Sequence, residues 1–176
     1  MASVRRRLLN LACMLGVTAL GACGKSGDAV PSPGERAAIA DTLGRMVDAA
    51  WDLSRGDVVS RLMGLYPVTG SVTSAAGGRV TTSRDSLRSQ IETFWHFVGQ
   101  NMGNPRFERV YTHVDVLSRD AAVLTTTYHI PHLQPDGMPH DIAGAMTLLF
   151  QRTNGKWGVI AEHLSDAPAS SRKEKQ

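Results

Sequence analysis

The stretch that decides the fold is Asp141-Ile142-Ala143-Gly144-Ala145-Met146-Thr147-Leu148-Leu149-Phe150-Gln151-Arg152-Thr153-Asn154-Gly155-Lys156-Trp157-Gly158-Val159-Ile160-Ala161-Glu162-His163-Leu164-Ser165. Two apolar, β-prone runs flank Asn154-Gly155, a dipeptide that accepts positive φ at both central positions of a type I′ turn, whose twist matches the strands it joins. The pattern predicts a hairpin with Thr153 opposite Lys156. Counting outward without a break pairs Phe150 with Val159, Leu148 with Ala161 and Met146 with His163 on one face, with Trp157 beside Arg152. The other face then pairs Leu149 with Ile160, Thr147 with Glu162 and Ala145 with Leu164. The first face is the bulkier and is expected to look into the core, with His163 at its end; the second is mixed and is the expected partner surface.

Upstream of this hairpin the apolar period is also two. Arg106 to Leu117 and Ala121 to Ile130 read as strands joined at Arg119-Asp120, a count that pairs Val116 with Val123, Val114 with Thr125 and Tyr111 with Tyr128. Pro131 to Pro139 reads as a proline-rich loop too irregular for a tight turn. Further back the period becomes helical. Ile39, Leu43, Val47, Ala50 and Trp51 predict a helix over Glu35 to Arg55, stopped by Gly56. Asp57 can cap a second, shorter helix carrying Val58, Leu62, Leu65 and Tyr66, which Pro67 ends. Val68 to Thr82 gives one or two weak strands turning at Ala75-Ala76-Gly77-Gly78. Ser83 caps the clearest helix, with Leu87, Ile91, Phe94, Trp95 and Val98 on one face and Gly99 as its close. The sum is an α+β fold in which three helices pack on a strongly curved, mainly antiparallel sheet.

This order of elements, with the ending from Asn154 to Ser165 (a turn, then Trp157, an aliphatic pair and His163-Leu164-Ser165), resembles the SnoaL-like branch of the NTF2-like superfamily over roughly residues 35–166. The resemblance implies a cone-shaped pocket open at one end and frequent dimerisation through the outer sheet face. Members of that superfamily include isomerases, cyclases and dehydratases as well as binding and assembly domains, so fold alone does not give the activity.

Candidate site residues follow from that frame. The related ketosteroid isomerases place an aspartate base on an early strand, yet Pro67 to Thr81 contains no Asp, Glu or His, so that position is vacant here. His163, and His129 in the phase of Val123 and Thr125, are the expected inward imidazoles and the candidate acid and base. The alternative for both is a histidine satisfied by a neighbouring carbonyl or hydroxyl. Trp51, Tyr66, Trp95 and Met146 join them as the expected lining of a pocket for a small, mostly apolar molecule, although helix aromatics equally serve a core. His113 and Asp115 share a face opposite the valines and are expected on an outer surface. His129, His132 and His140 have poor metal spacing and no cysteine to help, so no metal is expected. No phosphate loop, nucleophile elbow or dinucleotide fingerprint is present, and no cofactor is expected.

The N-terminus supplies an address. Arg5, Arg6 and Arg7 precede a short apolar run from Leu8 to Ala19, the layout of a secretory signal and below the roughly 20 residues a bilayer span needs. Leu20-Gly21-Ala22-Cys23 resembles a bacterial lipobox, which implies an acylated Cys23; with Gly24 next, the outer membrane is the expected destination, on its periplasmic side. Several acyl chains on one residue anchor stably, at roughly 0.8 kcal/mol per buried CH₂. The expected organisation is a signal peptide over 1–22, lipidated Cys23 and linker over 23–34, one domain over 35–168 and a polar tail over 169–176. Of 19 Lys+Arg against 16 Asp+Glu, the three leader arginines account for the excess, leaving a balanced chain that argues against nucleic acid. Cys13 and Cys23 are the only cysteines, so the domain has no disulfide to form. The expectation is a lipid-anchored binding domain; a proton-transfer enzyme and a dimeric envelope assembly module, joined through Thr147, Leu149, Ile160 and Glu162, are the alternatives.

Overall fold

The computed structural model of the protein describes residues 30–167; the leader, Cys23, most of the linker and the polar tail lie outside the described residues. The elements are α1 (Pro33–Ala50), α2 (Val58–Met63), β1 (Thr73–Ala76), β2 (Arg79–Thr81), α3 (Arg84–Phe97), a 3₁₀ turn (Gly99–Asn101), β3 (Glu108–Val116), β4 (Ala121–Leu133), β5 (Pro139–Thr153) and β6 (Lys156–Asp166). The strands form one curved six-stranded sheet in the order β2-β1-β6-β5-β4-β3, antiparallel except where β1 runs parallel to β6. The expected α+β cone, helices against a bent sheet, is what forms.

Local chemistry sets the helix limits. Ser32 and Glu35 close a reciprocal capping box, which starts α1 two residues before the point the periodicity indicates. The Ser32 hydrogen bond and Arg119 together hold the Glu35 carboxyl at about 2, and the Arg119 contact ties α1 to the β3–β4 turn. The helix ends at Ala50, earlier than expected, because Asp52 gathers Ser54 and Arg55 into a turn. Asp57 and Ser83 cap α2 and α3 as the sequence indicates. The core lies between the helices and the inner sheet face: Leu43 and Val47 from α1, Leu62 and Met63 from α2, and Leu124, Met146, Leu148, Phe150 and Val159 from the sheet. Of the long α3, only Leu87 is buried; with Ile91 and Phe94 it borders a hollow.

Both long hairpins depart from the unbroken count. In β5–β6 the turn is as expected, with φ of 51° at Asn154 and 77° at Gly155, and Arg152 faces Trp157 and Phe150 faces Val159. One position further, Leu149 faces Ala161; Ile160 is the extra residue of a β-bulge. The cause is the chain segment after α2. The Val159 N–H bonds to the Leu65 carbonyl at 2.7 Å, and that segment packs so closely that a Cβ on Gly158 would stand 3.3 Å from Pro67 Cδ. Beyond the bulge Met146 pairs with Leu164, Thr147 with His163 and Leu148 with Glu162, so every β6 side chain there has changed face.

The β3–β4 hairpin slips likewise. The N–H groups of Leu117 and Ser118 both bond the Ala121 carbonyl, and Val116 then faces Ala122 instead of Val123. Ala122, Leu124, Tyr128 and Ile130 are thereby the inward set of β4, while Val123, Thr125 and His129 face out. The proline-rich segment is a correction too: β4 runs on to Leu133 and β5 starts at Pro139, with His132 facing His140, so only a short turn remains of the expected loop. Pro131 is tolerated because Asp141 takes up the neighbouring Ile130 N–H through its side chain, and the Pro131 carbonyl serves Arg106.

Candidate functional site: an acid-bearing cone

Between α3, the end of α1 and the inner sheet face lies a half-enclosed cavity of about 270 Å³. Its apolar wall comes from Leu87, Ile91 and Phe94 of α3 on one side and Ile130, Ile142 and Leu164 of the sheet on the other. Trp51, just past α1, stacks on Phe107 with centroids 5.0 Å apart, and Phe107 stacks in turn on Tyr128 at 5.7 Å. This gives the cavity a rigid aromatic border, since both Trp51 and Tyr128 line it.

The polar side of the cavity comes from β1, β6 and the segment after α2. Glu162 Oε2 accepts from the Tyr66 hydroxyl at 2.5 Å, and Oε1 accepts from the Ser74 hydroxyl at 2.7 Å. Ser74 stands directly opposite Glu162 in the parallel β1–β6 pair, so the sheet register itself delivers one donor. Burial pushes the Glu162 carboxyl up, against the opposing pull of the Ser74 and Tyr66 hydrogen bonds. Burial and the adjoining Glu162 charge drive the Tyr66 phenol well above its ordinary value. At the other end of β6, Asp166 also lines the cavity, and burial with that carboxylate raises the Tyr128 phenol. A carboxyl raised in this way can accept a hydrogen bond from a ligand or exchange a proton with it.

The sequence-based candidates divide. Trp51 and Tyr66 line the cavity. Met146 is buried in the core with 2% exposure and does not line it. Trp95 packs its ring over Gly99, where an added Cβ would come within 2.1 Å, and it too stands outside the lining. His163 is exposed on the outer sheet face, opposite Thr147, because the Ile160 bulge turns it out. His129 faces the same way and bonds Asp141 Oδ2 through Nδ1 at 2.5 Å. Neither imidazole enters the cone. His132 and His140 meet at 3.2 Å at the far end of the β4–β5 hairpin; among the described residues no three His, Cys, Asp or Glu side chains converge to hold a metal. His113 and Asp115 bond each other at 3.0 Å on the exposed face.

The unbroken count missed Glu162 and Ser74 and placed Glu162 outside. It also gave Ile160 and Glu162 to the outer surface; that face instead carries Thr147 and Leu149 with Ala161, His163, Val123 and Thr125. A signal for Glu162 did exist, in that an acid two places from Ile160 and from Leu164 on a terminal strand is costly unless paired. The bulge left none, because Val159-Ile160-Ala161 is apolar throughout and shows no break in alternation.

A curved sheet closed by helices around an acid-bearing hollow defines an NTF2-like cone domain. Within that class the chain belongs to the calcium/calmodulin dependent protein kinase II association domain family, whose model matches residues 52–168. Solved structures agree on the fold. A Xanthomonas campestris protein proposed to be such an association domain is 23% identical, with a TM-score of 0.54 over 80% of this chain and 91% of that one. The association domain of the C. elegans kinase is 16% identical, with a TM-score of 0.57 over 75% and 95%. A proposed dehydratase of the NTF2-like family from Streptomyces avermitilis is 21% identical, with a TM-score of 0.62 over 76% and 99%. A search of curated proteins finds no match.

Proposed function

We propose that this protein binds a small, mostly apolar molecule in the cone, and that acylated Cys23 holds it at the cell envelope, on the periplasmic face of the outer membrane. The observation that carries the binding reading is the cavity of about 270 Å³ with its aliphatic and aromatic wall. An apolar cavity of ~150 Å³ already admits a benzene ring, so a substituted ring fits this one. The test is a thermal-shift and calorimetric screen with single-ring apolar compounds against the wild type and Ile91→Trp, which fills the hollow from α3. Stabilisation in the wild type that disappears in the variant supports binding in the cone; a flat response in both contradicts it. The anchor is tested apart from the cone, by moving Cys23→Ser from the membrane to the soluble fraction.

Two features favour further readings. Membership of an association-domain family, together with an outer face of Val123, Thr125, Thr147, Leu149 and Ala161, supports a homodimer formed sheet to sheet. Sedimentation decides it, and a strict monomer removes it. The raised Glu162 carboxyl beside Tyr66 favours proton-transfer chemistry such as isomerisation or dehydration. In that reading Glu162, and neither His129 nor His163, is the acid or base, and Glu162→Gln lowers turnover by about 10² or more.

A further inference from the structure

The polar atoms of the cone have a one-sided chemistry. Sixteen side chains or backbones line it, and among these described residues none is Lys, Arg or His, whereas two, Glu162 and Asp166, are acids. The Glu162 carboxylate has about four acceptor positions. Tyr66 and Ser74 occupy two of them, which leaves acceptor capacity for a ligand. Gln90, also in the lining, gives one amide N–H to the Thr81 hydroxyl, which leaves its amide group a carbonyl oxygen that can accept and a second N–H that can donate. Against these acceptors stands the Tyr128 hydroxyl, which can serve either role. Aromatic rings border these acceptors: Tyr66, and Trp51 with Tyr128 from the stack they form with Phe107. An anionic ligand would leave water to meet two carboxylates with no cation to answer it. A protonated amine would find hydrogen-bond acceptors, counter-charges and rings around an apolar body.

On the reading of the cone as a ligand pocket, we propose that its ligand class is cationic: a small organic amine with an apolar, ring-sized body, its ammonium directed to Glu162, with Asp166 further along the same strand adding to the negative field of the cone. Oxidation, group transfer and metal binding have no part in this; recognition is by charge, hydrogen bonding and burial.

The test uses the full chain and three probes sharing one ring: 2-phenylethylamine, 2-phenylethanol and phenylacetate, titrated calorimetrically at neutral pH and low salt. The expected order is amine first, alcohol about tenfold weaker, and phenylacetate without measurable binding. Glu162→Gln brings amine and alcohol to within about threefold of each other while the alcohol keeps its affinity. Asp166→Asn, at an exposed position away from the core, reduces the amine preference in the same direction and serves if the first variant fails to fold. Equal binding of amine and alcohol, both abolished by Ile91→Trp, overturns the charge preference and leaves the pocket standing. Phenylacetate binding as tightly as the amine also overturns it. If none of the three binds, the pocket reading falls together with it.

Discussion

The two halves of the β5–β6 hairpin obey the same pairing rules and give opposite results. Near the turn, from Thr153–Lys156 to Phe150–Val159, the ladder follows the count from Asn154-Gly155. Beyond Ile160 the same count is wrong by one, and an imidazole and a carboxylate exchange places across the sheet. Because side chains alternate strictly along a strand, a single unpaired residue does not blur the register but inverts it. What the far half presents to the cone, and hence its chemistry, is set by a contact from outside the hairpin: the Val159 N–H turned to the Leu65 carbonyl.

Deleting Ile160 breaks that contrast most severely. The straight ladder would carry Glu162 out and His163 in, leaving the Tyr66 and Ser74 hydroxyls without their acceptor. The expected loss is more than about 3 kcal/mol of unfolding free energy in denaturant titration. A deletion variant of near wild-type stability would mean that the bulge does not govern the register.

Tyr66→Phe is the next in size, expected to cost about 1–3 kcal/mol, because it removes one of the two donors to a buried carboxylate. Its pH behaviour sharpens the point. The folded-state pKa of Glu162 lies above the ordinary 4.5. Its contribution to stability is therefore fully present below that ordinary value and is lost as pH rises through the folded-state value. Without the Tyr66 donor the folded-state value climbs further, so the decline shifts to higher pH. Glu162→Gln should flatten it, in melting temperatures recorded across the acid to neutral range.

The smallest expected effect belongs to His163→Ala. An exposed side chain on the outer face should change stability by no more than about 0.5 kcal/mol and leave binding of any cone ligand as it was. A loss of binding in this variant would restore His163 to the pocket.

These same positions mark how far the sequence can be read. Capping at Asp57 and Ser83, the turn at Asn154-Gly155 and the two-residue period of the strands are local signals, and the elements and their order follow from them. Trp51 and Tyr66 reach the cavity although α1 and α2 end short of both, so their apolar phase was legible where the helix ends were not. The carboxylate was not legible in the same way. Its direction depends on one bulge in a run of three apolar residues, forced by a segment over ninety positions away in the chain. The outward turn of His129 has the same origin in the doubled hydrogen bond at Ala121.

The orientation of β6 can be read directly with two single-cysteine chains, Glu162→Cys and His163→Cys, in a background where Cys13 and Cys23 are serine. Reaction rates with a bulky maleimide report which side chain meets bulk solvent. The bulged register predicts rapid labelling at position 163 and labelling slower by about 10² at position 162, the factor a local opening of about 2.7 kcal/mol would impose. Rapid labelling at 162 with protection at 163 would contradict it.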